Sequence, residues 1–391
     1  MRIGYDGKRA VQNFTGLGNY SRYVVESLST FAPENEYWLY APMYRENKLL
    51  SEMIEESQGV VSVHHPSSQV WRWMNALWRI RGIAEDLKQD KIALFHGLSN
   101  ELPLNISKVE GLKSIVTIHD LIFLRLPHYY PLIDRLIYNY KCRYACQRAD
   151  HIIAVSECTK RDIMHYYGVS EKKISVIYQG CDSIYSKCVT KNKREEVKLR
   201  YGLPEHYILS VGTIERRKNT LLIVKALAQL SEELHFVLIG KPTAYIDKLK
   251  EFMIKAGVQD RVHFLHGIPS DDLPAIYQCA DTFVYPSVYE GFGIPIFEAL
   301  HSGIPVIAAT GSCLEEAGGK HSLYIEPNDV AGLVAAIRKT LDPSIRSGMI
   351  EEGLKWVRHF TPEQMTHETM ECYQNVLQKI ENKTIMGSSK N

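Results

Sequence analysis

The sequence predicts an α/β protein made of two Rossmann-like domains, each a doubly wound parallel sheet. Three features point to it. Short runs rich in β-branched and aromatic residues alternate with helical patterns along nearly the whole chain, as a parallel sheet with helices on both faces requires. The alternation falls into two series separated by Tyr185–Arg200, rich in Lys and Glu. Most polar motifs stand where a predicted strand ends, and ligands of such sheets bind at those ends. Two sheets facing each other would place both sets of strand ends on one cleft.

In the first series Arg2–Asp6, Glu36–Ala41, Ile92–Gly97, Ser114–Asp120, His151–Ser156 and Ile174–Gln179 read as strands. Asn19–Ser29, Leu132–Gln147 and Glu157–Tyr167 read as helices between them. In the second, the strands are Tyr207–Val211, His235–Gly240, Val262–His266, Thr282–Tyr285 and Pro305–Ala308. The expected domains are 1–184 and 185–361. A further helix follows over Pro362–Ile380, and a polar tail over 381–391 is expected to be disordered. The 391 residues give each domain enough chain for its own core.

Composition narrows the function. A net charge of +1 offers no general attraction to nucleic acid. The eight cysteines include no Cys-x-x-Cys pair. Cys142 and Cys146 share a helical face and read as reduced core thiols rather than half a zinc site. The opening Met-Arg-Ile-Gly-Tyr-Asp is a strand and not a signal peptide. No apolar run approaches the ~20 residues that span a bilayer. A reduced, cytoplasmic chain is expected.

The strongest motif is Glu290-Gly-Phe-Gly-Ile-Pro-Ile-Phe-Glu298, after the strand Thr282–Tyr285. Gly291 and Gly293 allow close approach of a ligand to the backbone, and Ile294 can open a helix with Pro295 in its first turn. N–H groups at such a start attract phosphate. Glu290 on the loop and Glu298 one turn inside the helix suit hydroxyl binding better than a shared metal. After the first strand of the preceding domain and a short loop, Gly16 and Gly18 in Thr15-Gly-Leu-Gly-Asn-Tyr-Ser21 open a helix. This is half a dinucleotide fingerprint, read either as a diphosphate loop or as a tight turn. His119-Asp120 ends an apolar strand, where an imidazole can meet a substrate hydroxyl or developing charge. His96 is a weaker equivalent. Arg217 and Lys218 follow the first strand of the second domain, and cations at a helix start oppose its dipole unless an anion compensates. Gln69–Lys91 carries an apolar stripe of Val70, Trp73, Leu77, Ile80, Ala84 and Leu87 beside Arg72, Arg79 and Arg81. It reads either as a helix packed on the first sheet or as a surface helix touching a membrane or lipid-linked acceptor. No Asp-x-Asp occurs, which disfavours a metal-bridged diphosphate, so no metal and no cofactor are expected.

In this order, the motifs resemble the GT-B glycosyltransferases of family 4 (group 1), retaining enzymes with nucleotide-sugar donors. The resemblance runs from Arg2 to about Ile380 and is most specific over Ala280–Ala299 and Gly303–Val306. It implies that Glu290 binds donor-sugar hydroxyls and Glu298 the ribose. Phe292, Gly293 and Ile294 would present N–H groups to sugar and diphosphate. Arg217, Lys218, Gly16 and Gly18 would hold the diphosphate, and His119 would contact the sugar near its reacting carbon. It also implies a final helix returning to the first domain. Arg216 where proline is usual, and Cys313-Leu-Glu-Glu-Ala in place of a Leu-Pro-Glu stretch, depart from the pattern. The Thr-Gly-x-Gly-x-Tyr and His-Asp-Leu stretches are most similar to bacterial mannosyltransferases. They imply GDP-mannose as first donor, with UDP-sugars open, and a growing surface glycan, often lipid-linked, as acceptor. That acceptor would bring the chain to the inner face of the membrane. A nucleotide-sugar epimerase and a non-enzymatic sugar-nucleotide-binding scaffold are the rivals. A pyridoxal phosphorylase would need a longer chain.

Overall fold

The computed structural model describes residues 1–14 and 16–388, with side chains through Gln378. The chain divides into two compact units, residues 1–179 with 360–391, and residues 180–359.

The first unit holds a seven-stranded parallel sheet in the order β3-β2-β1-β4-β5-β6-β7. Its strands are β1 (Arg2–Asp6), β2 (Glu36–Tyr40), β3 (Val61–His64), β4 (Leu94–Gly97), β5 (Lys113–Ile118), β6 (His151–Ala154) and β7 (Ile174–Val176). The order reverses between β1 and β4, leaving a crevice at their carboxyl ends. Alternation along β1 separates two faces. Tyr5 points to one, where its hydroxyl meets Tyr373 at 3.2 Å. Gly4 points to the other, where an added Cβ would lie 3.1–3.3 Å from Ile92, Tyr40 and Leu87. Phe95, Val116, Ile118 and Ile152 fill that second face against helix Leu132–Arg148. Cys142 and Cys146 are buried there as free thiols. The strand β3, not anticipated from the sequence, is an edge strand with only its first residue fully buried.

Gln69–Lys91 is not one helix. It breaks into helices Gln69–Trp73 and Asn75–Leu77, a π-helical turn Trp78–Gly82, and helix Ile83–Gln89. The expected stripe therefore fails in its first half, where Val70, Trp73 and Leu77 are exposed. The turn swings Trp78 inward instead, fully buried, with its indole N–H donating to Asp86 at 2.6 Å. An added Cβ at Gly82 would come within 2.7 Å of the Trp71 ring and 2.8 Å of the Trp78 ring, so glycine leaves room for both indoles beside the break.

The last helix, Pro362–Ser388, belongs to the first unit. Its Tyr373 is fully buried against Tyr5 and His96. Of the tail expected from 381, the backbone continues this helix to Ser388, and 389–391 lie outside the described residues.

The second unit holds a six-stranded parallel sheet in the order β10-β9-β8-β11-β12-β13. The strands are β8 (His206–Val211), β9 (Leu234–Ile239), β10 (Val262–Leu265), β11 (Thr282–Tyr285), β12 (Val306–Ala309) and β13 (Leu323–Ile325). Ile208, Phe236, Leu238, Val284 and Ile307 pack beneath helices Thr220–Leu227, Tyr245–Ala256 and Val330–Leu341. Phe283, Phe297 and Tyr277 are buried on the opposite face. Here the order reverses between β8 and β11, and both strands are followed by the motifs that carry charge.

Candidate active site

Two loops build the charged cluster of the second unit. After β8 the chain makes a 3-10 turn, Arg216–Lys218, then reaches left-handed Asn219 (φ 57°) before helix Thr220–Leu227. Asn219 donates to the carbonyls of Pro286 (3.1 Å) and Pro327 (2.7 Å), and the Val288 amide donates to the Arg217 carbonyl at 2.9 Å. The loop after β8 is thus stitched to the loop after β11. Gly240 is required alongside, because a Cβ there would overlap the Gly212 carbonyl.

Glu290 lies at the centre, only 9% exposed. Its Oε1 is 2.6 Å from Lys218 Nζ and 2.8 Å from Arg217. Arg217 also donates to the Tyr289 carbonyl (2.6 Å) and pairs with Glu215 (2.6 Å). Lys218 donates to the Tyr285 hydroxyl at 2.5 Å. Burial pushes the Glu290 carboxyl up, but Lys218 and Arg217 outweigh it and hold the group down at about 2. Burial likewise opposes the charge on Lys218, and Glu290 more than restores it. All three are charged at neutral pH. The anion expected to compensate the Arg-Lys pair is in part the protein's own.

Gly293 (φ 118°) caps helix Ile294–His301, whose Pro295 stands in the first turn. A Cβ at Gly293 would meet Leu314 at 2.9 Å in a backbone conformation that side chains resist. The Phe292 ring is buried on Phe297, 5.1 Å between centroids, so the side chain belongs to the core and not to the loop's surface. Cys313, buried, donates its thiol to the carbonyls of Glu290 (3.1 Å) and Phe292 (3.0 Å). The departure from the usual Leu-Pro-Glu stretch is therefore a brace under the glycine loop.

Glu298 has different partners. Tyr277 donates to it at 2.6 Å, and Tyr185 also hydrogen bonds to it. Burial raises its carboxyl to about 7, against the lowering effect of the two hydroxyls. The two acids of the motif thus differ in protonation as well as depth.

The remaining residues belong to the first unit. A short helix, Lys8–Gln12, intervenes between β1 and helix Gly16–Phe31. Gly18 is required, because a Cβ would fall 2.1 Å from the Asn13 carbonyl, whereas Gly16 has open space. Tyr20 of that helix packs edge-on against His119, 4.5 Å between centroids, bringing the glycine turn beside the imidazole. His119 Nε2 is 2.8 Å from the Leu98 carbonyl, and its backbone amide donates to Asn100 at 2.7 Å. A carbonyl only accepts, so Nε2 carries the proton and Nδ1 is left as an acceptor. Burial lowers the His119 pKa to about 4, so the ring is neutral. His96 is a core residue, fully engaged by Thr117 (2.8 Å) and Tyr373 (2.7 Å).

Sequence reading passed over Glu215, Tyr285 and Tyr277, and marked Cys313 only as a departure from the family pattern without seeing its contacts. Tyr285 ends a predicted strand and could have been singled out; the other three act only through folding. Among the described residues no cluster of three or more His, Cys, Asp or Glu could hold a metal, and no helix is long and apolar enough to cross a membrane.

Comparison with known proteins gives consistent results over both units. Residues 192–356 match the model of glycosyl transferases group 1, and residues 16–183 that of glycosyltransferase family 4. The chain is 29% identical over 318 residues to O-antigen chain mannosyltransferase B of Escherichia coli, covering 79% of this chain and 77% of that protein. It is 30% identical over 225 residues to O-antigen chain mannosyltransferase RfbU of Salmonella typhimurium, covering 57% and 59%. Among solved structures, Anabaena HepE in complex with UDP and glucose superposes with a TM-score of 0.74 at 16% identity, covering 96% of this chain and all of that one. Sucrose-phosphate synthase of Thermosynechococcus elongatus reaches 0.78 at 18% identity, covering 97% and all of it. With two doubly wound parallel sheets and both halves matched, the chain belongs to the GT-B glycosyltransferases of family 4 (group 1).

Proposed function

We propose that this glycosyltransferase moves a hexose, mannose from GDP-mannose in the first instance, to a hydroxyl of a growing, lipid-linked surface glycan with retention of configuration. The observation that carries the reading is the Glu290–Lys218–Arg217 cluster at the reversal of strand order in the second unit. The mannosyl choice is supported by the names of the relatives in sequence.

In this reading Glu290 accepts from donor-sugar hydroxyls. Its low pKa keeps it an acceptor throughout the working pH range. Arg217 offers a planar fork and Lys218 a compact charge to the diphosphate. The N–H groups of Phe292, Gly293 and Ile294 add a helix start to the same anion. Those groups neutralise it without a divalent ion, so activity is expected to survive chelation by EDTA. Glu298 takes the ribose. Gly16 and Gly18 serve the diphosphate, and neutral His119 accepts a sugar hydroxyl at Nδ1. Retention follows a front-face route: the acceptor oxygen bonds to the anomeric carbon as the bond to the diphosphate oxygen breaks, and the acceptor proton passes to a donor phosphate oxygen. No protein nucleophile is required, and Glu290 orients and stabilises charge. Exposed Val70, Trp73 and Leu77 interleaved with Arg72 and Arg81 support peripheral contact with the inner face of a membrane.

The test is a thermal-shift comparison of GDP-mannose with UDP-glucose and other sugar nucleotides, followed by product analysis with acceptor. A donor at about 100 times its Kd adds ~2.7 kcal/mol. Stabilisation by GDP-mannose, with an α-linked product, is expected. Stabilisation by a UDP-sugar alone would replace the donor, and isomerised free nucleotide-sugar without acceptor would replace the reaction.

A further inference from the structure

The first unit contains a cavity of about 380 Å3 that the donor reading leaves unused. It is lined within that unit by Asp6 at the end of β1, Phe95 of β4 and Glu101 just beyond β4. It therefore occupies the crevice where the strand order reverses, the general ligand position of such sheets. Its walls are apolar: Ile80 and Ile83 from the π-helical turn and the helix after it, Leu104 from the following loop, and Leu136, Ile137 and Tyr140 from helix Leu132–Arg148. The last three are exposed, so the wall continues out of the cavity onto the surface.

The floor is charged. Arg79, carried inward by the π turn, pairs with Asp6 and with Glu101 at 2.7 Å, and Glu101 also meets Lys141 at 3.3 Å. Arg79 and Asp6 are nearly buried, and Lys141 is about one-third exposed. Burial opposes the Asp6 charge, but Arg79 overcomes it and keeps the carboxyl below its ordinary range. Cations outnumber acids around it. Residues 69–82 contain Arg72, Arg79 and Arg81 and no acid, and helix Leu132–Arg148 carries Arg135, Lys141, Arg143 and Arg148 against Asp134. Helix Ile83–Gln89 has Glu85 and Asp86 against Lys88, and the cavity's own acids, Asp6 and Glu101, are already paired with Arg79 and Lys141. An apolar trough ending in fixed charges, on a basic face of a chain with net charge +1, suits a molecule with one hydrocarbon end and one anionic end.

We propose that this cavity holds the hydrocarbon chain of a lipid phosphate, with the phosphate against Lys141 and the neighbouring Arg81. This deepens the proposed function by naming the chemical class of the acceptor's carrier, and rests on that reading for the word acceptor.

Calorimetric titration of the full chain with decyl phosphate, octyl phosphate and inorganic phosphate tests it. Saturable binding of decyl phosphate is expected. Octyl phosphate should bind about 15-fold more weakly, at about fourfold per buried methylene, and inorganic phosphate should not compete. Ile137→Glu places a charge in the wall at a half-exposed position and should abolish binding, while Ile137→Leu retains it. Nucleotide-sugar binding, measured on the same two variants, is expected to stay intact and shows that the chain is folded. Equal affinity for the two chain lengths, tight inorganic phosphate binding, or an unaffected Ile137→Glu variant would overturn the inference. So would retention on phosphatidylglycerol vesicles with no saturable decyl phosphate binding, which would make the face a flat bilayer contact. Lipid phosphate binding without any sugar-nucleotide binding would sink the donor reading and leave this site standing.

Discussion

Glu290 and Glu298 sit eight positions apart on one motif yet titrate in opposite directions, and each direction has a measurable outcome. Glu290→Gln leaves Lys218 and Arg217 buried without their shared anion. Turnover is expected to fall roughly 10²-fold or more, the effect of losing one preorganised contact worth ~3 kcal/mol. The unfolding midpoint should fall with it, because an uncompensated buried charge costs about 3–5 kcal/mol. Turnover near the wild-type value would remove Glu290 from the reaction. Glu298 is the reverse case. Its carboxyl, ordinarily 4.5, is raised to about 7 in the folded chain. The stability it contributes is complete below pH 4.5 and is lost as pH rises through about 7. Glu298→Gln should therefore raise the melting temperature relative to wild type at pH 8 and converge with it near pH 4.5. The difference is at most about 3 kcal/mol. Parallel pH–stability curves for the two proteins would contradict the assignment.

Among elements, the π turn at Trp78–Gly82 does the most to position side chains, and Gly82 is its weak point. Gly82→Ala drives a methyl into the Trp71 ring and is expected to cost about 1–3 kcal/mol by overpacking, read as a lower denaturation midpoint in urea. Unchanged stability would mean that the two indoles can part freely. This turn also marks where sequence reasoning ran out. The strands β1, β4, β5, β8 and β11 were legible because central parallel strands are continuous apolar runs. So were the glycines and charges at their ends. The edge strands β3 and β13 were missed, being short and half-buried. The apolar stripe of Gln69–Lys91 was real as spacing, but the breaks before and in the π turn leave Val70, Trp73 and Leu77 exposed while Trp71 packs against the core instead. The pairing of Glu290 with Arg217 and Lys218 spans more than seventy positions. Motifs marked all three residues, and only the adjacency of β8 and β11 joins them. Cys313 and Tyr277, which brace that loop and Glu298, carry no local signature.

At the scale of the molecule, the division into two compact units predicts separable unfolding. Calorimetry should resolve two transitions, and a sugar nucleotide should raise the one belonging to residues 180–359. Proteolytic mapping of the fragment that survives at intermediate temperature identifies it. A ligand that raised only the other transition would move the principal donor contacts to the first unit. Helix Pro362–Ser388 ties the chain's end to its beginning. Tyr373→Phe removes the hydroxyl shared by Tyr5 and His96, and orphaning those buried partners is expected to cost about 1–3 kcal/mol in the first unit. That tie has a consequence for biosynthesis. Because Tyr373 stands 368 positions after Tyr5, strand β1 cannot seal one of its faces until residues 362–378 have been made, so the first sheet must wait, greasy and incomplete, while the second unit matures. Chains truncated before residue 362 should consequently be held by chaperones and cleared by proteases from the side of their first unit.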